Sequence, residues 1–253
     1  MFDPTKRFTK RVGAYVQARP TYPPEVIDTL RDDYGLSPQD RVADVGSGTG
    51  ILTAQLLDFG CRVWGIEPND AMRRAAEERF ADSERFTSVK GQAEATSLPD
   101  SSVDWVTVGQ AFHWFRVDET RTELRRILIP EGRVALVWNL RSEDASPFLV
   151  ELEQLLLDRG IEYRNVKAKW QVENAIPNLY AEHRLFTFNS NRQVVDLDGL
   201  KGRLLSSSYF PQPEHPSFPQ TIAIVEDMYK RHQVDDRVSI EYKTILYVGG
   251  LKP

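Results

Sequence analysis

Along residues 23–138 the apolar positions switch repeatedly between short unbroken runs and helical spacing. Val26, Ile27 and Leu30 follow Pro23-Pro24 at helical spacing and stop at Gly35, which predicts a helix with proline in its first turn and glycine as its terminator. The run Arg41-Val-Ala-Asp-Val45 predicts a strand, and Ile51, Leu52, Leu56 and Leu57 predict a helix that ends at Gly60. The alternation then returns, with a strand at 61–66, a helix capped by Asn69 or Asp70 and running to Phe80, and a strand at 86–90. A buried strand follows at 103–108, then an amphipathic helix at 118–128 with Leu124, Ile127 and Leu128 inward. The turn Pro130-Glu131-Gly132 leads into a strand at 133–138. Repeated strand and helix units imply an α/β fold built on a parallel, doubly wound sheet.

After Asn139 the rhythm breaks. A helix is expected at 148–159, a short strand near 185–188, helices at 197–206 and 220–231, and the longest late strand at 238–248. The turn-rich piece at 211–219 reads as an ordered surface loop. No linker, repeat or low-complexity segment divides the chain, so residues 1–253 read as a single unit.

Composition narrows the partners. With 32 Lys plus Arg against 37 Asp plus Glu, the net charge of -5 lacks the basic footprint of a duplex-binding protein, and a small molecule is favoured over nucleic acid. No apolar run approaches the roughly 18 residues of a membrane span. The charged start places no apolar leader at the amino end, so a cytoplasmic protein with no membrane partner is expected; the oligomeric state is not written in the sequence. The single Cys61 excludes an internal disulfide and a multi-cysteine metal site, and its apolar neighbours predict burial; no metal site is expected. The first twenty residues are locally basic, with Lys6, Arg7, Lys10, Arg11 and Arg19 against Asp3 alone.

Between the first strand and its helix stand Gly46, Gly48 and Gly50, at alternate positions, where a side chain would block the approach of a ligand to the backbone. A dinucleotide-binding loop wants its third glycine at the sixth position, which here is Ile51. Asp44, two residues before the loop, would repel a pyrophosphate but suits a cationic ligand.

The motif Asp44-Val-Gly-Ser-Gly-Thr-Gly50 resembles the first motif of the class I S-adenosylmethionine-dependent methyltransferases. The resemblance extends through Gly65-Ile-Glu-Pro-Asn-Asp-Ala-Met72 and Gly91-Gln-Ala-Glu-Ala-Thr-Ser-Leu-Pro-Asp100. It implies a Rossmann-like, mostly parallel seven-stranded sheet and S-adenosylmethionine as cofactor. Glu67 would take the ribose hydroxyls, Met72 would pack on adenine, and Gln92, where the family usually has an acid, would accept from the adenine amino group. Asp44, Gly46, Ser47, Gly48, Gly50, Pro68, Ala93, Glu94 and Gln110 complete the implied cofactor site. The arm Arg11-x-x-x-Tyr15-x-x-x-Arg19-Pro-x-Tyr22 and the stretch Gln110-Ala-Phe-His-Trp-Phe115 are similar to a narrower subgroup, the methyltransferase type 11 proteins related to trans-aconitate methyltransferases. That similarity implies Arg11, Tyr15 and Arg19 over the methionine carboxylate and a small carboxylate as acceptor.

On this reading residues 1–22 form a mobile lid, 35–140 the cofactor core, and 141–235 a substrate cap interleaved with the late strands. His113 follows the fourth strand, where open α/β sheets bind ligands, and is the candidate catalytic residue, as base or as acceptor-positioning donor. Arg141, Trp138, Trp170, Arg203 and Tyr209 are candidates for the acceptor pocket, while His183, His215 and His232 sit late in the chain without an evident triad or metal partner. Two other classes remain open. An NAD-dependent oxidoreductase would share the sheet, against the missing sixth glycine, and a methyltransferase-like domain without turnover would share every motif.

Overall fold

The computed structural model describes residues 18–169 and 174–252. Seven strands form one sheet: β1 Arg41–Val45, β2 Arg62–Ile66, β3 Phe86–Val89, β4 Val103–Gly109, β5 Leu128–Arg141, β6 Tyr180–Val195 and β7 Val238–Leu251, in the order β3-β2-β1-β4-β5-β7-β6. The first five pair in parallel. The sheet is nevertheless mixed, because β7 runs antiparallel to both β5 and β6.

Helix α1 Glu25–Tyr34 precedes β1, and α2 Ile51–Phe59, α3 Asp70–Arg79 and α4 Val117–Ile127 connect the early strands. Their ends follow local chemistry: Gly35 closes α1 in the left-handed conformation, and the Asn69 side chain accepts from the backbone N–H groups of Ala71 and Met72 to start α3. Alternate strand residues feed two cores. Ala43, Val45, Val106, Leu136 and Trp138 meet Leu124 and Ile127 of α4 on one face. On the other face Val42, Val63 and Val137 meet Val26 and Leu30 of α1 and Leu52 and Leu56 of α2. Cys61 is buried there one residue before β2, and burial pushes its thiol up to about 12.

The later helices are α5 Pro147–Arg159, α6 Tyr163–Lys169, α7 Ile176–Leu179, α8 Leu197–Leu205 and α9 Phe218–His232. Most of them build a third core, in which Leu149, Leu152, Tyr163, Leu200, Phe210, Val225 and Met228 close over Val238, Ile240 and Tyr242 at the start of β7.

Two expectations need correction. The short strand near 185–188 is in fact the 16-residue β6. Its Asn189-Ser190-Asn191 stretch has the composition of a turn, but it lies at a register shift between Phe188 and Asn191 that lets the ladder continue to Val195. The Pro130-Glu131-Gly132 turn is an excursion inside β5, since Val103 pairs with Leu128 and Trp105 already pairs with Arg133. Among the described residues no helix is long and apolar enough to cross a membrane, and no group of three or more His, Cys, Asp or Glu could hold a metal ion.

Candidate active site

The loop from Gly46 to Gly50 wraps the carboxyl end of β2. The amides of Gly46 and Ser47 both donate to the Ile66 carbonyl, at 2.8 and 3.2 Å. Gly46 has φ +70°, and a Cβ there would lie 2.6 Å from that of Ala111. Gly48 has φ +58°, but a Cβ there would meet nothing closer than the Met72 sulfur at 3.8 Å. One glycine lets the loop approach the segment after β4; the other leaves open the floor of a cavity.

That cavity, of about 150 Å³, is lined by Gly46, Gly48, Glu67, Pro68, Met72, Gln92, Ala93, Glu94 and Gln110, with Trp114 and Phe115 closing one side. Glu67 stands just beyond β2 and is only 7% exposed. Its Oε2 accepts from the Gly48 amide at 3.0 Å and its Oε1 from the Asn69 amide at 2.8 Å. Burial raises its pKa, against the pull of these two amides and of Arg73. A carboxylate oxygen can accept more than one hydrogen bond, so Glu67 keeps acceptor capacity toward the cavity. Glu94 spends one oxygen on the Arg116 amide at 2.8 Å, fixing the segment after β4.

Asp44, at 1% exposure, lines a second, smaller cavity of about 40 Å³ together with Ser47, Gly48, Arg19 and Arg203. Its oxygens accept from Thr53 Oγ1 at 2.6 Å and Thr107 Oγ1 at 3.1 Å, and burial lifts its pKa to about 6 in spite of them.

A third cavity, of about 590 Å³, lies beside these two and is lined by His113, Trp114, Asn139, Arg141, Arg203 and Tyr209 among others. Gln110 lines all three. It adopts φ +59°, its amide N–H donates to the Val137 carbonyl at 2.9 Å, and its side-chain amide donates to the Asn139 carbonyl at 2.9 Å. Gln110 is thereby fixed at the point where the cavities meet, with Trp114 shared by the first and the third.

The large cavity is basic, with Arg19, Arg141, Lys167, Arg203 and Lys243 against Glu143 and Asp144 on its wall. Two of these cations are neutralised. Arg141 pairs with Glu153, to which the Tyr163 hydroxyl also donates at 2.6 Å, and Lys167 bridges Glu143 at 2.6 Å and Glu153 at 2.8 Å. Burial opposes ionisation of Glu153, but Lys167, Tyr163 and Arg141 hold its carboxyl below the usual range. Burial likewise opposes ionisation of Tyr209, yet the charges of Arg203, Arg141 and Arg19 pull its phenol below its ordinary value.

Of residues 18–22, Arg19, Pro20 and Tyr22 line the small cavity and Arg19 also lines the large one, and the segment is held by its backbone carbonyls. Gln193 donates to Ala18 O at 3.1 Å, Asn139 and Asn191 donate to Thr21 O at 3.0 and 2.9 Å, and Gln55 donates to Tyr22 O at 2.8 Å. Arg19 lines both cavities and donates to the Ser206 carbonyl at 2.9 Å. This end of the expected lid is tied down by four amide side chains. Arg11 and Tyr15, with the rest of the arm, lie outside the described residues, as does Trp170.

The expected site residues from Asp44 to Gln110 therefore line the cavities, with one exception. Gly50 lines none of them; it precedes α2 and packs against Phe80. Trp138 is also corrected, since it is 2% exposed within the core beneath the site. His113 sits on a short 3₁₀ turn, Phe112–Trp114, its ring tilted 46° to that of Trp114 with centroids 4.7 Å apart, and lines the large cavity; His215 and His232 make their contacts elsewhere, with Ser217 and Glu151. Sequence reasoning missed Asn139, Asn191 and Gln193. Asn139 carried a usable signal, a polar residue directly after the apolar run of β5, at the strand end where such sheets bind ligands.

Comparison with known proteins agrees with this geometry. Residues 43–136 match the family model for a methyltransferase domain, of type 11. An uncharacterized methyltransferase-like protein of Schizosaccharomyces pombe is 30% identical over 252 residues, 98% of this chain and 96% of the relative. A protein solved as a candidate type II methyltransferase of Anaeromyxobacter dehalogenans superposes with a TM-score of 0.69 at 22% identity, covering 92% of this chain and 97% of that one. The phosphoethanolamine N-methyltransferase 2 of Haemonchus contortus, solved with S-adenosylhomocysteine and phosphomonomethylethanolamine, superposes at 0.54 and 15% identity over 97% of this chain and 57% of its own. A glycine loop at the end of β1, a buried acid at the end of β2, a seven-stranded sheet in which β7 alone is reversed and a full-length relative at this identity converge on one assignment: the chain belongs to the class I S-adenosylmethionine-dependent methyltransferases.

Proposed function

We propose that this methyltransferase acts on a small molecule and methylates a carboxylate oxygen, with the acceptor in the cavity of about 590 Å³ and the cofactor across the two smaller ones. The observation that carries this reading is the junction at Gln110. A ligand lying on the glycine loop opens there onto a separate cavity whose cations outnumber its carboxylates. In this arrangement residues 1–22 serve as the arm over the cofactor, 35–140 as its binding core and 141–235 as the acceptor cap.

The residues present suit the cofactor. The buried Glu67 carboxylate, already oriented by two amides, accepts from the ribose hydroxyls; Met72, Pro68 and Ala93 supply apolar surface for adenine; Gln92 supplies an acceptor for its amino group. Gly46, Ser47 and Gly48 allow close backbone approach, while Asp44, Arg19 and Tyr15 attend the charged methionine end. Bound S-adenosylmethionine supplies an electrophilic methyl on a sulfonium. Displacement needs acceptor oxygen, methyl carbon and sulfur in line, so Gln110, Trp114 and the arm residues Arg19 to Tyr22 act by positioning, which accounts for roughly 7 to 11 kcal/mol of barrier in well-oriented reactions. His113 then positions the acceptor, since a carboxylate is already ionised at neutral pH. Resemblance to trans-aconitate methyltransferases supports the carboxylate, as does the basic wall.

The test is a screen of small carboxylic acids, phenols and amines with methyl-labelled cofactor. Esters release labelled methanol in mild alkali; label that survives alkali in every product would remove the carboxylate reading.

A further inference from the structure

Arg203 differs from the two paired cations of the large cavity. Arg141 and Lys167 share Glu153 and Glu143, whereas Arg203 has no ion pair among the described residues; Lys243 has none either but is exposed, while Arg203 is half-buried. Its Nε donates to the Tyr242 hydroxyl at 3.0 Å and its Nη1 to Ser207 Oγ at 3.0 Å, with the Tyr242 ring centroid 5.9 Å from its Cζ. The Tyr242 hydroxyl in turn donates to Gln193 at 2.8 Å, so its lone pair is aimed at Arg203. These contacts lock the guanidinium by two nitrogens and leave Nη2 without a partner among the described residues. Arg203 also lines both the small cavity beside Asp44 and the large one, which puts it at their junction with Arg19 and Gln110. A half-buried guanidinium without a counter-ion keeps an open donor toward the cavity, and a ligand carboxylate matches its planar fork.

We infer that Arg203 is the residue that selects an anionic acceptor, gripping one carboxylate oxygen through Nη2 so that the other faces the methyl group. The inference rests on the carboxylate reading above. The free oxygen donates an electron pair to the methyl carbon, the C–O bond forms as the C–S bond breaks, and that bonding pair stays on sulfur, which becomes a neutral thioether. The carboxylate becomes a neutral ester and no proton moves. Arg203 thereby loses its counter-charge at the moment of transfer, which favours departure of the ester. The lowered phenol pKa of Tyr209 fits the same picture, because it registers the positive field of Arg203, Arg141 and Arg19 at the cavity wall.

The experiment compares wild type with Arg203→Gln, Arg203→Lys and Lys201→Gln, the last on the same helix but paired with Glu226. The probes are mono- and dicarboxylic acids of two to ten carbons with labelled cofactor, alongside calorimetry of S-adenosylhomocysteine. The expected result is ester formation by wild type, a 10- to 100-fold lower kcat/KM for Arg203→Gln, a partial recovery in Arg203→Lys, and no change in Lys201→Gln. Affinity for S-adenosylhomocysteine stays within about twofold in all four, which also shows that the variants are folded. Ester formation undiminished by Arg203→Gln overturns the role of Arg203 and leaves the carboxylate reading standing. A selective loss of S-adenosylhomocysteine affinity in Arg203→Gln overturns it too, by assigning Arg203 to the cofactor. If wild type esterifies none of the acids, both readings fall together.

Discussion

Glu67 holds the glycine loop as well as facing the cavity: its Oε2 accepts the Gly48 amide at 3.0 Å, joining the turn after β1 to the end of β2. Replacing Glu67 with Ala removes acceptors for ribose and leaves the Gly48 and Asn69 amides without their partner. Hydrogen bonds to a charged group are worth about 1.5 to 3 kcal/mol each, so cofactor affinity should fall at least about tenfold. Glu67→Gln should recover little, because its NH2 must oppose one of those two N–H groups. Calorimetry with S-adenosylhomocysteine decides this; unchanged affinity in Glu67→Ala would falsify the ribose assignment.

The two glycines flanking Ser47 should fail differently. In Gly46→Ala the new methyl meets Ala111 at 2.6 Å as well as an unfavourable φ, so the protein itself should lose stability, by more than the roughly 1 to 2 kcal/mol of left-handed strain alone. In Gly48→Ala only the strain applies to the empty protein, and the methyl projects into the cavity. Thermal unfolding without ligand should therefore rank Gly46→Ala below Gly48→Ala. Cofactor affinity should drop in Gly48→Ala out of proportion to its Tm; a loss confined to stability would place the cofactor elsewhere.

Asp44 predicts a pH signature. Burial raises its pKa from 3.8 to about 6 in the fold, so between these values the folded protein holds a proton that the unfolded chain has released. The stability from this group is present in full below about 3.8 and is lost as pH rises through about 6, an effect of up to about 3 kcal/mol. Asp44→Asn stays neutral and can still bond both threonine hydroxyls. Without ligand, its Tm should exceed that of wild type at pH 7.5, with the gap closing toward pH 4, while cofactor affinity falls. Parallel Tm profiles for the two proteins across that range would show that burial does not tax the charge.

His113 lines the acceptor cavity beside Trp114. For a carboxylate acceptor, His113→Gln keeps a donor and should cost about tenfold or less in kcat, without removing a limb of the pH profile near 6 to 7. A loss in the 10² to 10⁴ range typical of general-base removal, with cofactor affinity unchanged, would mean that the acceptor must lose a proton and is a phenol or alcohol.

The strand and helix rhythm through Trp138 was legible because the central strands β1 and β4 are covered on both faces and each helix on one, so burial writes a period into the residues. The cofactor residues were legible for a related reason: they stand at strand ends, where pattern breaks and chemistry coincide. The later half was harder to read. β6 is an edge strand with an exposed face, so its apolar signal is weak and Asn189-Ser190-Asn191 hides its continuity. Asn139, Asn191 and Gln193 hold residues 18–22 through contacts across more than 110 positions, and no local spacing announces such pairs. Arg203 stood among the candidates by residue type alone; its isolation from carboxylates became visible only once Arg141 and Lys167 were seen to be paired.

Gln110 is the proposed meeting point of a cofactor site and an acceptor site. A crystal structure with S-adenosylhomocysteine tests this most directly. The nucleoside is expected against Glu67, Met72 and Gln92, with the sulfur near Gln110 and directed toward the cavity that holds His113, Arg141 and Arg203. A nucleoside bound away from Glu67, or a sulfur walled off from that cavity, would contradict it.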